Sequence, residues 1–255
     1  MRDLAFLDLE TTGLDPARHE ILEIGVVRVR GDSLAELDRL GLRVRPEHLE
    51  TADPAALALN GYSDAAWADA ASLSEALRRL ALLLDGTYLA GHNVAFDRAF
   101  LDAAWARTGV ARPNVDHHLL DTASLAWPLL TAGVVDSLSL GKLGEQLGLE
   151  GGTPHRALDD AERSLALARL LLPNMGLMTR VMALRADEHA IVTALLERIE
   201  AGRADYGPWR VDDGRDYTEE ALQELLDGMA YVAAGIVRLG AKRRLQRLEQ
   251  AREEA

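Results

Sequence analysis

The residues of this 255-residue chain that can do chemistry lie in three short segments. Asp8 and Glu10 sit two apart in Leu4-Ala5-Phe6-Leu7-Asp8-Leu9-Glu10. On a strand, that spacing sends both carboxylates to one face. Adjacent carboxylates repel each other unless a cation sits between them. Asp97 follows in Gly91-His92-Asn93-Val94-Ala95-Phe96-Asp97, on the first turn of a predicted helix. His155 and Asp160 complete the set in Pro154-His155-Arg156-Ala157-Leu158-Asp159-Asp160-Ala161. Read singly, Asp97 is a helix-start acid favoured by the macrodipole, and His155 is a cap or surface residue. Read together, four carboxylates and one imidazole near strand ends and helix starts can hold two hard cations. Such a pair stabilises the attacking and leaving oxygens of a phosphodiester displacement, while the imidazole takes a proton from the attacking water. The chain has no cysteine, so thiolate metal sites are excluded and Mg²⁺ or Mn²⁺ is favoured.

The elements that must position these groups are legible in outline. Leu4–Glu10 reads as a buried strand, with Thr11–Pro16 a turn after it. Ile21–Arg30 and Leu40–Val44 continue as an antiparallel meander. Ser72-Leu73-Ser74-Glu75 resembles a capping box, and Leu73, Leu77, Leu80 and Leu84 follow at helical spacing. Tyr88–Gly91 is a short buried strand leading to a helix over about Val94–Arg107. Leu119–Thr122 is strand-like. Short helices follow around Ala123–Leu130 and Leu138–Leu147, then a helix from about Arg156 to Leu172. Antiparallel strands first, then strands alternating with helices, give a mixed α/β sheet. Pro173-Asn174 looks like a boundary, dividing residues 1–173 from an all-α extension, 174–255, with helices over about Met175–Glu200 and Tyr217–Ala251. Leu222, Leu225, Met229, Val232, Ile236 and Leu239 form a 3-4-3-4-3 seam, and Leu177, Val181, Leu184, Ile191, Leu195 and Ile199 offer a second apolar row. These helices are expected to pack as a hairpin, either on the first domain or on a second copy as a homodimer.

The net charge is −13. Residues 1–173 carry 16 basic and 26 acidic residues, a balance of −10, and 174–255 carry −3. An acidic body repels nucleic acid at long range, so any nucleic-acid site must be small and local. Hydrophobic residues at 48% and charged residues at 27% exclude wholesale disorder. The absence of a run of about 20 apolar residues and of an apolar leader after Met1-Arg2-Asp3 leads to the expectation of a cytoplasmic protein without membrane contact. His92 reads as structural, and His19, His48, His117, His118 and His189 as surface or polar-core residues. Trp67, Trp105 and Trp127 read as packing residues.

The three motifs, taken in order, resemble those of the DEDDh family, the DnaQ-like 3′–5′ exonucleases on a ribonuclease H-like fold. They are Asp8-Leu9-Glu10-Thr11-Thr12-Gly13-Leu14, Gly91–Asp97 and His155-Arg156-Ala157-Leu158-Asp159-Asp160-Ala161, and the resemblance covers about residues 3–172. It implies a central five-stranded mixed sheet flanked by helices. Asp8, Glu10, Asp97 and Asp160 would hold two Mg²⁺ or Mn²⁺, with Asp8 bridging them, and His155 would be the general base. The family spacing selects Asp160 over Asp159, which is left as a solvated neighbour. Thr11, Thr12 and Leu14 would line the pocket for the terminal nucleotide, with Asn93 and Phe96 supporting the site. The implied reaction releases nucleoside 5′-monophosphates from single-stranded or frayed 3′ ends, with DNA taken slightly ahead of RNA. An exoribonuclease, a non-catalytic end-binding protein and a polymerase accessory protein are the rival readings. Separately, Glu197-x-x-Glu200 and Glu224-x-x-Asp227 resemble the metal motif of MazG-like, all-α nucleotide pyrophosphohydrolases. That resemblance implies a second Mg²⁺ site and an added pyrophosphohydrolase activity in the extension.

Overall fold

A computed structural model of the chain describes residues 1–149, 153, 155–208, 210, 214 and 216–253. The first three strands are β1 (Leu4–Thr11), β2 (Ile21–Val29) and β3 (Glu36–Arg43). They form the expected meander, β1 against β2 and β2 against β3, both antiparallel. The chain then crosses through α1 (Pro54–Leu59) and α2 (Leu73–Leu84) to β4 (Tyr88–Gly91), which lies parallel to β1. A second crossover through α3 (Val94–Thr108) brings β5 (Leu119–Asp121) parallel to β4. The sheet order is β3-β2-β1-β4-β5. Helices α4 (Thr122–Thr131), α5 (Leu140–Gln146) and α6 (Ala157–Met182) follow.

The alternation of β1 decides which face does what. Ala5, Leu7 and Leu9 join Leu77, Leu80 and Leu84 of α2 and Phe100 and Leu101 of α3 in one core layer. Phe6 points the other way and packs with Leu165 and Ala168 of α6. Asp8 and Glu10 share the parity of Phe6 and so lie on the α6 side. Ser72 caps α2 as expected, its hydroxyl accepting from the Glu75 N–H at 3.3 Å.

Gly25, opposite Asp8 on β2, sets how closely α6 approaches. A Cβ there would lie 2.1 Å from the carbonyl carbon of Ala157 and 2.2 Å from its oxygen, both backbone atoms of the first residue of α6. A glycine inside a strand marks such a close backbone approach. Gly25→Ala is expected to push the start of α6 off the sheet and cost about 1–3 kcal/mol of stability. Thermal melting checks the loss.

Two boundaries differ from expectation. Helix α6 does not end at Pro173-Asn174 but continues to Met182 with Pro173 inside it. An interior proline removes one backbone hydrogen bond and strains a helix, but the turns of α6 before it are anchored by burial as far as Leu171. The chain divides into two compact units after Leu184, within the break between α6 and α7 (Ala186–Tyr206). The helix expected over Met175–Glu200 is therefore two helices. The second unit contains α7 and α8 (Tyr217–Glu253). Leu195 and Ile199 on α7, and Leu225, Met229 and Val232 on α8, are all exposed, so their apolar rows do not bury each other as a hairpin would. No helix among the described residues is long and apolar enough to cross a membrane.

Candidate active site

One open cleft gathers the three motifs. Its lining includes Asp8, Leu9 and Glu10 of β1, His92, Asn93, Phe96 and Asp97 of the β4–α3 turn, and His155, Asp160 and Arg163 around the start of α6. The far wall is Ser139, Leu140, Gly141, Lys142 and Glu145 of α5 and its approach.

Local structure explains each placement. At the end of β4, a Cβ on Gly91 would sit 2.6 Å from the Leu7 carbonyl oxygen, so only glycine allows this strand end to lie so close to β1. Asn93 then takes a left-handed conformation, φ 59°, which asparagine tolerates better than most residues. Its backbone N–H donates to Asp121 Oδ1 at 3.1 Å. The sharp turn starts α3 so that Asp97, on its first turn, faces back toward β1. There Asp97 Oδ1 accepts the Leu9 N–H at 2.9 Å, which fixes one carboxylate oxygen beside Asp8. His155 is left-handed at φ 61°, just before α6. Its N–H donates to Asp160 Oδ2 at 3.0 Å, so the general-base candidate and the acid candidate of one motif are held by one local hydrogen bond. Arg163, one turn further on, pairs with Asp160 Oδ1.

Ligand atoms of Glu10, His155 and Asp160 lie within 4.8 Å of one another. The acids perturb one another in the way such crowding requires. Burial, then Asp97, Asp160, Glu10 and Glu23, hold the Asp8 carboxyl well above the usual range. Asp97 is raised mainly by burial, against the Leu9 N–H that favours its charged form. Asp160 is raised by burial, opposed by Arg163 and by the His155 N–H. Burial, then Asp160 and Glu23, push Glu10 up to about 7 from an ordinary 4.5. Like-charged oxygens at this density fit a divalent cation, and an all-oxygen set with one imidazole suits Mg²⁺ or Mn²⁺.

The Glu10 shift has a sign that can be tested without substrate. Between about pH 4.5 and 7 the folded state holds a proton that the unfolded state releases, so folding stability falls as pH rises through that window. In EDTA, Glu10→Gln is expected to melt higher than the parent at pH 8, with the gap closing toward pH 5. Equal melting curves at both pH values would refute the crowding.

Not every expected residue lines the cleft. Asn93 and Phe96 do; Thr11, Thr12 and Leu14 are outside its described lining. Thr11, the last residue of β1, and Thr12 after it are buried. The Thr11 hydroxyl donates to the Gly13 carbonyl, and the Thr12 hydroxyl accepts the Glu20 N–H. Leu14 is 81% exposed. Asp159 is more than a solvated neighbour, since its Oδ2 accepts the Thr153 N–H at 2.7 Å. His92 is held through both ring nitrogens, to Thr122 Oγ1 and the Leu138 carbonyl, as a structural residue would be. Trp67 and Trp105 are buried, whereas Trp127 is exposed. Glu197 and Glu200 on α7 and Glu224 and Asp227 on α8 are all exposed and form no close cluster of three among the described residues. One such cluster not foreseen is Asp116, His117 and His118 before β5.

Glu23 of β2 lies outside the three motifs yet joins the site: it pairs with Glu10 of β1, is buried, and meets Arg156 at 3.4 Å. Its signal was present: a glutamate inside the apolar run Ile21-Leu22-Glu23-Ile24 needs a charged partner.

A five-stranded mixed sheet with a carboxylate cleft at the ends of β1 and β4 and the start of α6 defines a ribonuclease H-like nuclease domain. Residues 5–168 match the Exonuclease family (RNase_T), and the chain belongs to this family, in its DnaQ-like 3′–5′ group. The chain is 30% identical over 182 residues to the DNA polymerase III PolC-type of Thermotoga maritima, covering 71% of this chain and 12% of that one. It is 29% identical over 158 residues to the 3′–5′ exonuclease DinG of Bacillus subtilis, covering 61% of this chain and 16% of that one. The chain thus spans less than a fifth of the length of either relative. Escherichia coli Exonuclease I, solved with a dT13 oligonucleotide, shares the fold at a TM-score of 0.60 and 19% identity, covering 75% of this chain and 46% of that one.

Proposed function

We propose that this protein removes nucleotides from the 3′ ends of single-stranded or frayed DNA, releasing nucleoside 5′-monophosphates. One observation carries the reading: Asp8, Glu10, Asp97, Asp160 and His155, from separate segments of the chain, line one cleft. Asp8, Glu10, Asp97 and Asp160 would hold two Mg²⁺ or Mn²⁺. When bound, these ions supply the positive charge that draws in and stabilises a phosphodiester undergoing attack. His155, exposed at the cleft and tied to Asp160 through its backbone, leaves its imidazole free to accept a proton from the attacking water. Phe96 and Asn93, which line the cleft, offer an apolar face and a polar edge to the terminal nucleotide. Lys142, which also lines the cleft, would offer a positive charge to a polyanionic strand.

DNA is favoured over RNA because the similar PolC-type protein is a DNA polymerase by name and Exonuclease I was solved with a DNA oligonucleotide. A polymerase as partner rests on the PolC likeness alone. The test is digestion of matched 3′-labelled DNA and RNA single strands, duplexes and mismatched ends with Mg²⁺ or Mn²⁺. The expected result is metal-dependent shortening from the 3′ end, faster on single-stranded and mismatched DNA than on RNA or paired ends. Faster loss of RNA would assign an exoribonuclease. End binding with no shortening in either metal would assign a non-catalytic end-binding protein.

A further inference from the structure

Helix α8 carries a large apolar face whose residues are exposed. Leu222, Leu225, Leu226, Met229, Val232, Ile236, Val237 and Leu239 are each between 50% and 71% exposed. At roughly 100 Å² apiece, they offer on the order of 800 Å² of apolar surface. Monomers rarely leave a patch above about 300–600 Å² open to water. A standard interface buries about 800 Å² on each partner. Six of the eight, Leu222, Leu225, Met229, Val232, Ile236 and Leu239, follow the 3-4-3-4-3 spacing of a coiled-coil seam, the geometry that a second copy of the same helix fits.

The charge along α8 selects the direction of pairing. By sequence, residues 217–237 carry four acids, Glu219, Glu220, Glu224 and Asp227, and no base. Residues 238–253 carry six bases against two acids, a balance of +4. Two parallel copies would set −4 beside −4 and +4 beside +4. Two antiparallel copies set each acidic half beside a basic half. The seam is compatible with this, because antiparallel pairing about its centre places Leu222 opposite Leu239, Leu225 opposite Ile236 and Met229 opposite Val232.

We infer that the protein dimerises through α8, which pairs antiparallel with α8 of a second copy by its apolar seam and its opposed charge halves. The inference does not depend on the exonuclease reading and is tested without substrate. The full chain is expected to run as a dimer by light scattering at micromolar concentration. Met229→Glu with Val232→Glu should raise the dimer Kd by about 100-fold or more, because each new carboxylate must be buried in the seam. Circular dichroism confirms that the variant keeps its helices. Raising NaCl from 0.05 to 0.5 M should weaken the dimer, since the opposed halves attract. The chain has no cysteine, so introduced thiols report pairing directly. A mixture of Leu222→Cys and Leu239→Cys proteins should form a mixed disulfide far faster than either alone forms its own. A monomeric parent, or a dimer untouched by the double Glu variant, would overturn the assigned surface. Efficient Leu222→Cys self-crosslinking, or a dimer strengthened by salt, would overturn the antiparallel arrangement.

Discussion

Asp8→Asn is expected to lower Mg²⁺-dependent exonuclease activity by about 10³-fold or more while making the metal-free protein more stable. The two effects have one cause. Asp8 is the acid that the largest set of neighbours disturbs: after burial, Asp97, Asp160, Glu10 and Glu23 all oppose its ionisation. Its carboxyl is raised in the folded state, so above the ordinary carboxylate range the metal-free fold must either hold that charge among like charges or take up a proton, and both cost stability. Asparagine keeps the shape and removes the charge. The melting temperature in EDTA should therefore rise at pH 8. The gain should shrink as pH falls and the parent's own carboxyl becomes protonated. Saturating Mg²⁺ should reverse the order, stabilising the parent more than the variant, because only binding to the folded state adds stability. A purely structural Asp8 would behave oppositely, with its replacement lowering stability with or without metal. Activity retained in Asp8→Asn would remove this residue from the proposed machinery.

The second large effect is expected at His155. His155→Asn should reduce kcat by about 10²–10⁴-fold, the usual contribution of a positioned general base. Asparagine is the informative choice because position 155 sits at φ 61°, where most residues are strained and asparagine is tolerated. The backbone N–H to Asp160 Oδ2 survives the substitution, so the acid keeps its orientation. Mg²⁺ titrated by its effect on melting should then bind the variant nearly as it binds the parent, and KM for a single-stranded DNA end should change by only a factor of a few. A loss of metal binding equal to the loss of rate would recast His155 as a ligand, which its closeness to Glu10 and Asp160 allows geometrically. The split between kcat and metal affinity separates the two roles.

The sequence alone made the exonuclease class and the main architecture of residues 1–172 legible. The period-two placement of Asp8 and Glu10 in an apolar strand forced both onto one face, and Asp97, His155 and Asp160 each sat at a strand end or helix start where backbone geometry is narrow. Local rules act within a few residues, so such features survive without knowledge of the fold. What joins distant segments was decided only by the tertiary structure. Gly25 permits α6 to reach the sheet, and Glu23 joins Asp97, Asp160 and Glu10 in the field around Asp8, because the fold brings separate segments together. The continuation of α6 past Pro173 belongs to the same class. A proline weakens a helix by a local amount, and whether the helix stops depends on the residues on either side of it and on the burial of the turns before it. The seam of α8 shows the converse: its period was plain in the sequence, while the finding that its apolar residues are exposed required the folded chain, since exposure is a property of the surroundings and not of the residue.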